Sequence, residues 1–374
     1  MENKKVLFVA TVVKKHINVF HLPYLQWFQE QRYETHVCAR DDFNGEECII
    51  PHCDKHFDIP FERSPLNQNN IKAYRRLKKI INENNYEIIH CHTPVAAMLT
   101  RLAARRARKK GTKVIYTAHG FHFFKGAPLL NWLIYFPVEF ICSFFTDVLI
   151  TINQEDYKLA KGIMKAKNIE YIPGVGIDIE KYKNIQVDKK AKRKELGVSE
   201  DAFILLSVGE INKNKNHEVI IEALNRLNNP NICYCIAGQG ELKDYLKNKI
   251  ISLGLQNQVH LLGYRKDINE LCHIADIFCF PSRREGLGLA ALEAMAVGLP
   301  IITSNVHGIN DYSIQGITGI KCNPSSVNEF KDAIQKLMCD VDFRIKTSKN
   351  NKLLSQNFDI NLVKEVMIKI YMNV

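Results

Sequence analysis

The feature that most limits how this chain can fold is a rhythm that runs through it twice. Apolar runs of strand length alternate with longer amphipathic stretches. In the first half the runs are Lys5–Ala10, Thr35–Ala39, Glu87–His92, Lys113–Thr117 and Asp147–Ile152. Helix-like stretches such as Ile71–Asn82 and Pro94–Arg108 lie between them. After a glycine-punctuated link, Pro173–Asp178, the rhythm restarts with Phe203–Val208, Ile232–Ala237, Gln258–Leu262, Asp276–Phe280 and Leu299–Thr303. Strands apolar on both faces need cover on both sides, which a parallel sheet flanked by helices supplies. The expected class is α/β, with two Rossmann-like domains, 1–172 and 173–357, facing a cleft. Ligands are then expected at the carboxyl ends of the strands. No sequence repeat relates the halves, and 374 residues allow each its own core.

The segment Pro281–Pro300, PSRREGLGLAALEAMAVGLP, carries the densest chemistry. It follows the apolar run Ala275–Phe280 and reads as a glycine loop leading into a helix over Leu289–Val297. Gly286 and Gly288 let backbone approach a ligand, and free N–H groups at the helix start can hold phosphate. Glu285 closes the loop. Glu293 is an acid inside an otherwise apolar helix, so its carboxylate needs a hydrogen-bonding partner, and ligand hydroxyls are candidates.

This Glu-x7-Glu pattern resembles the signature of glycosyltransferase family 4, retaining enzymes of GT-B fold. The resemblance continues through Val208–Leu224 (VGEINKNKNHEVIIEAL), Ile236–Leu242 (IAGQGEL), Tyr116–Pro128 (YTAHGFHFFKGAP) and Val19–Phe28 (VFHLPYLQWF). It spans essentially the whole chain and is nearest to the bacterial capsule and exopolysaccharide members. It implies that a last helix, about Ile360–Met372, crosses back so that 358–374 join the first domain.

Site roles follow from the same resemblance. Glu293 would hold the donor ribose, and Lys215 with the amides of Gly288 and Leu289 would hold the diphosphate. Glu285 would bind the transferred sugar and support positive charge at its anomeric carbon. Gly209 and Gly238 would line the donor site, and the backbone at Tyr264 and Arg265 would read the base. The Gly238-Gln239-Gly240 motif lacks a third glycine and is not a dinucleotide fingerprint. His119 matches a histidine that touches the donor sugar. His21 falls where relatives carry a glycine-rich acceptor loop, which this chain lacks. One departure stands out: the family's arginine after Gly209 is Glu210 here. Either Lys213 or an arginine of the Arg283-Arg284 pair then compensates, or stabilisation of the leaving group rests on Lys215 and backbone amides.

Other features bound the reading. The eleven cysteines are scattered, odd in number and free of CxxC spacing, as expected of reduced core thiols in a cytosolic protein. The N-terminal run MENKKVLFVATVV is too short for a signal peptide and lacks a small-residue cleavage site. His90-Cys91-His92 alternates across a strand, with no further ligand in sequence to make a metal site. Asp340 and Asp342 form a DxD that reads as a solvated turn, and the resemblance implies no cofactor and no metal. The segment Leu129–Phe145 contains Asn131, Pro137 and Glu139, so it makes a poor membrane span. It suits a core helix or one lying in a membrane interface.

Net charge is +11, and between Ile71 and Lys113 twelve Lys or Arg face only Glu83 and Glu87. Lys72, Arg75, Arg76 and Lys79 recur at helical spacing and share one face. Such a patch suits an anionic membrane surface. Nucleic acid is not expected, because no zinc finger, RNP motif or aromatic stacking platform accompanies the charge. The expectation is a retaining glycosyltransferase using a nucleotide-sugar donor, with UDP-sugar favoured, and a polyprenyl-diphosphate-linked saccharide acceptor. It would work in the cytoplasm, peripheral on the inner face of the membrane. The alternatives are a sugar-nucleotide epimerase of the same fold and a non-catalytic nucleotide-binding, membrane-associated protein.

Overall fold

Parallel pairing organises every strand of both sheets. The computed structural model describes residues 4–183 and 185–374, so Met1, Glu2 and Asn3 of the N-terminal run lie outside the described residues. Chain contacts divide it into two units, Met1–Val175 with Val363–Val374, and Gly176–Leu362. The first unit holds β1 (Lys5–Val12), β2 (Glu34–Arg40), β3 (Lys55–Asp58), β4 (Ile88–His92), β5 (Lys113–Ala118), β6 (Val148–Thr151) and β7 (Asn168–Tyr171). Their order in the sheet is β3-β2-β1-β4-β5-β6-β7. The second unit holds β8 (Phe203–Val208), β9 (Ile232–Ala237), β10 (Val259–Gly263), β11 (Ile277–Phe280), β12 (Ile301–Ser304) and β13 (Gly319–Cys322), in the order β10-β9-β8-β11-β12-β13.

Each order reverses direction once, between β1 and β4 in the first sheet and between β8 and β11 in the second. At such a reversal the flanking loops leave in opposite directions and open a crevice at the carboxyl ends of the strands. The central strands are largely buried because helices cover both faces, and Val6–Ala10 and Ile204–Leu206 are fully enclosed. The three strands that pattern alone did not mark, β3, β7 and β13, are all four-residue edge strands. An edge strand is half-covered and needs no continuous apolar run.

Helix packing follows the charge pattern. In the helix Asn69–Asn84, Ala73, Leu77, Ile80 and Ile81 are buried, while Lys72, Arg75, Arg76 and Lys79 are exposed on the opposite side. The basic stretch Pro94–Arg108 is two helices, Pro94–Ala103 and Arg105–Lys109.

The greasy segment forms the helix Leu129–Ser143. Trp132, Tyr135, Phe136 and Phe140 pack on the first unit's core. Leu129 (75% exposed), Leu130, Leu133 (69%), Ile134 and Ile141 face outward. Glu139 ties this helix down: its carboxylate meets Arg101 Nη2 at 2.9 Å and accepts from Tyr116 Oη at 3.2 Å. Arg101 is itself only 1% exposed, and its guanidinium lies 4.0 Å from the centre of the Tyr116 ring. Removing one member of such a buried pair costs about 3–5 kcal/mol, because the other charge is left unmatched. The helix is thus half core and half uncovered. Among the described residues no helix is long and apolar enough to cross a membrane.

The last helix, Ile360–Met372, places Tyr371 Oη 2.7 Å from His90 Nδ1 in the first unit's core, among Tyr24, Trp27 and Phe28. All eleven cysteines are free, and eight of them are buried. Asp340 and Asp342 are exposed, as expected of a solvated turn, and the Asp340 carboxylate also caps the helix Val341–Leu354, accepting from Phe343 N at 2.9 Å.

Candidate active site

The crevice of the second sheet is built from the segments that leave β8 and β11. Below it, Ser207 Oγ donates to Cys279 O at 2.5 Å, and Tyr234 Oη donates to Ser207 Oγ at 2.8 Å, so the two strands are pinned together. Above it, Asn216 sits at φ +56°, a conformation asparagine tolerates better than most residues. Its amide donates to Pro281 O (3.0 Å) and Pro324 O (2.8 Å), while its Oδ1 accepts from Arg283 Nη2 (3.0 Å). Asn214 Nδ2 donates to Arg284 O at 2.9 Å, and Arg283 N donates to Asn214 O at 2.8 Å. These bonds fix the loop carrying Lys215 against the loop carrying Glu285.

Lys215 Nζ lies 2.7 Å from Glu285 Oε1 and 4.6 Å from the centre of the Phe280 ring. An ammonium has three donors, so the pair with Glu285 leaves hydrogen-bonding capacity for a bound anion. The glycines explain how the backbone closes around this pair. A Cβ on Gly209 would meet Lys215 Cε at 3.0 Å, and one on Gly238 would lie 1.8 Å from Gly209 O. Gly288 has φ +94°, and a Cβ there would fall 2.5 Å from Phe280 Cε1. The helix Leu289–Val297 starts at Gly288 with no side-chain cap and no acid in its first turn. Its opening N–H groups therefore have no side chain competing for them.

Sequence-marked residues thus fall into two groups. Lys215, Glu285, Gly209, Gly238, Gly288 and Leu289 come together. Glu293 does not join the ion pair: it hydrogen-bonds Tyr182 of the turn Glu180–Tyr182, and burial pushes its carboxyl above the usual range. Tyr264 is 71% exposed. The Arg265 side chain is held by Asp267 (2.8 Å from Nε) and Glu195 (2.5 Å from Nη2). Lys213 is exposed, and Glu210 accepts from Asn212 Nδ2 at 3.0 Å. Arg283, offered as a replacement cation, is engaged by Asn216. Asn216 and Tyr182 were not singled out by pattern. An asparagine flanking a lysine in a loop carries no signal until its backbone conformation is known.

The crevice of the first sheet has a different content. Thr93, between β4 and Pro94, is a β-branched residue at φ +63°, a strained conformation. Its Oγ1 meets Thr11 Oγ1 at 2.7 Å, joining the ends of β1 and β4. Around this join lie His21, His92, His119 and a residue pattern did not mark, His16. The expectation that His90 and His92 have no further ligand beside them is therefore corrected. His92 is surrounded by three histidines brought in by folding from the loops after β1 and β5. His92 Nδ1 and His119 Nε2 are 3.4 Å apart, and the rings of His21 and His92 stack at 3.8 Å. His90 is committed elsewhere, to Tyr371 and to Thr117 Oγ1 at 2.8 Å. Burial holds all of these imidazoles neutral, taking His119 down to about 4 and His16, His21 and His92 well below the ordinary histidine value.

Comparison with known proteins agrees with this division. Residues 5–153 match the family described as glycosyl transferase 4-like, and residues 188–354 match glycosyl transferases group 1. EpsD of Bacillus subtilis, which carries the name of a glycosyltransferase, is 40% identical over 98% of this chain and 96% of its own. An Escherichia coli protein, UDP-Gal:α-D-GlcNAc-diphosphoundecaprenol α-1,3-galactosyltransferase, is 32% identical over 79% of this chain and 77% of its own. Anabaena HepE, solved with UDP and glucose, shares the fold with a TM-score of 0.81 at 21% identity, over 99% of this chain and 100% of that one. The two parallel-sheet units are those of the GT-B architecture. With that fold, both domain matches and a full-length relative at 40% identity, the chain belongs to the glycosyltransferases that combine a glycosyl transferase 4-like domain with a group 1 domain.

Proposed function

We propose that this glycosyltransferase moves a sugar from a UDP-sugar to a saccharide carried on polyprenyl diphosphate, keeping the donor's α configuration, in the synthesis of a capsule, exopolysaccharide or other surface glycan. The observation that carries the reading is the Lys215–Glu285 pair at the second sheet's crevice, beside an uncapped helix start. A diphosphate leaving group needs fixed positive charge where its own negative charge develops, and Lys215 with the N–H groups of Gly288 and Leu289 supplies it without a metal. Glu285 then binds the sugar's hydroxyls and stabilises positive charge at the anomeric carbon. Its engagement by Lys215 makes it a poor nucleophile, so the acceptor's proton goes to the leaving phosphate on the same face. Glu293, with Tyr182 beside it, takes the ribose. His119 is assigned to the sugar, and His21 to the acceptor.

The acceptor class rests on the printed activity of the Escherichia coli relative. It also rests on the uncovered apolar face of Leu129–Ser143, which lies close in sequence to an open cavity of about 560 Å³ lined by Arg105, Arg106, Lys109, Lys167 and Phe144. An apolar face with basic residues nearby suits the anionic inner leaflet. A donor panel read by UDP release, with and without lipid-linked acceptor, tests the proposal. Acceptor-dependent release from one UDP-sugar, persisting in EDTA and giving an α-anomeric proton signal, is expected. A β product, or activity lost in EDTA that Mg2+ or Mn2+ restores and Zn2+ does not, refutes the mechanism.

A further inference from the structure

We propose that the first unit's histidine cluster is a binding site for a zinc-class transition-metal ion, held by His16, His92 and His119 with a fourth position open. The argument is geometric. A tetrahedral ion with metal–nitrogen bonds of about 2.1 Å sets its ligand nitrogens about 3.4 Å apart and the imidazole centroids about 5.2 Å apart. His92 Nδ1 and His119 Nε2 are 3.4 Å apart. The ring centroids of His16–His119, His92–His119 and His16–His92 are separated by 5.1, 5.6 and 5.7 Å, with planes inclined by 84°, 46° and 53°. These separations are close to the spacing three imidazoles around one ion require, and none of the three pairs stacks. The fourth histidine is different: His21 stacks on His92 at 3.8 Å. All four offer ligand atoms within 4.8 Å of one another.

The donor set fits borderline metals. It consists of imidazoles and contains no carboxylate, which selects zinc, cobalt, nickel or copper over magnesium or calcium. The nitrogens are also short of partners. His16 Nε2, both ring nitrogens of His21 and His92 Nε2 are buried without a hydrogen bond. Each neutral ring must place one N–H and one lone pair, and leaving these unmatched away from water is costly. A cation taking the lone pair of His16 Nε2 removes part of that cost; on His92 it is held by Nδ1, the atom facing His119, and Nε2 keeps its N–H. The ion would join three neighbouring strands of one sheet: His92 ends β4, His119 follows β5, and His16 sits in the π-helical turn Val13–Ile17 directly after β1. The strained Thr93 lies next to His92, in the same join.

This inference shares His119 with the sugar-transfer reading, which sets that ring against the donor sugar, but it is argued from other observations and its test does not use activity. Untagged protein is dialysed against Zn2+ and its bound metal counted, and Co2+ is added separately as a spectroscopic probe. One equivalent of zinc per chain is expected, with the intense visible absorption of tetrahedral cobalt and a zinc-dependent rise in Tm. His16→Ala and His92→Ala should each weaken zinc binding by ~100-fold or more, while His52→Ala, an exposed histidine elsewhere, should not. Wild-type cobalt absorption needs no variant to fold, so it decides the case even if His92→Ala is unstable. No stoichiometric zinc on wild type, octahedral cobalt spectra, or undiminished binding by folded His16→Ala would overturn the proposal.

Discussion

The two crevices have the same origin in topology and opposite chemistry. Each lies where a parallel sheet reverses its strand order, at β1/β4 and at β8/β11. The first is filled by neutral imidazoles packed on Phe8 and on one another, and its backbone is joined by two threonine hydroxyls. The second is filled by a lysine–glutamate pair seated on glycines, and its backbone is joined by asparagine side chains. Strand order thus decides where a crevice opens, and a handful of loop residues decides whether it offers charge or lone pairs. Evidence of fold alone therefore never identifies the substrate.

The largest effect expected from this contrast is on turnover. Lys215→Ala should lower kcat by ~100- to 1000-fold while leaving the fold intact, since a fixed cation at a developing charge acts mainly in the transition state. Steady-state kinetics on the folded variant check this, and a near-normal kcat would erase the proposed distinction between the crevices. Next is the glycine seat. Gly238→Ala drives a Cβ to 1.8 Å from Gly209 O, a backbone atom with little room to move. A loss of ~3 kcal/mol is expected in urea unfolding. A loss under about 0.5 kcal/mol would show that the close approach does not shape the loop.

The smallest effect sharpens the comparison through pH. Glu293 holds its proton more tightly in the folded chain than in the unfolded one, because burial disfavours its charged form. The folded state then binds more protons over that interval. Stability from this group is complete below the ordinary glutamate pKa and is lost as pH rises through the folded value. Glu293→Gln should therefore raise Tm at pH 7 by about 2 °C, the gap closing near pH 4, while it weakens UDP-sugar binding. Thermal scans at both pH values and a donor titration check it. Destabilisation at pH 7 would mean that the carboxylate serves packing, and unchanged donor affinity would remove it from the ribose.

How much of this was legible beforehand follows from what each signal depends on. Apolar runs such as Phe203–Val208 and Ile232–Ala237 were readable because both faces of a central strand are covered. The edge strands β3, β7 and β13 were not, since four residues with partial exposure carry neither period nor continuity. Glu285 and Lys215 could be marked one at a time, but nothing in their spacing of seventy residues states that they touch. His16 was invisible for a related reason. It sits beside two lysines in a polar-looking stretch, and only the π-helical turn after β1 brings its ring to His92 and His119. Leu129–Ser143 suited either a core helix or an interfacial one, and it has a side for each. Composition averages over a helix's circumference, whereas burial does not.

The clamp of Arg101, Glu139 and Tyr116 has one more consequence for that helix. Segments that bind bilayers are often disordered in water and lose chain entropy when they fold on the surface. Here the Leu129–Ser143 helix is held from behind by a charge pair inside the core, and its backbone is ordered before any partner arrives. Whatever covers Leu129, Leu133 and Ile141 meets a stiff plate of fixed outline. Its affinity is then set by the apolar area covered and the charges nearby, with no deduction for folding the plate.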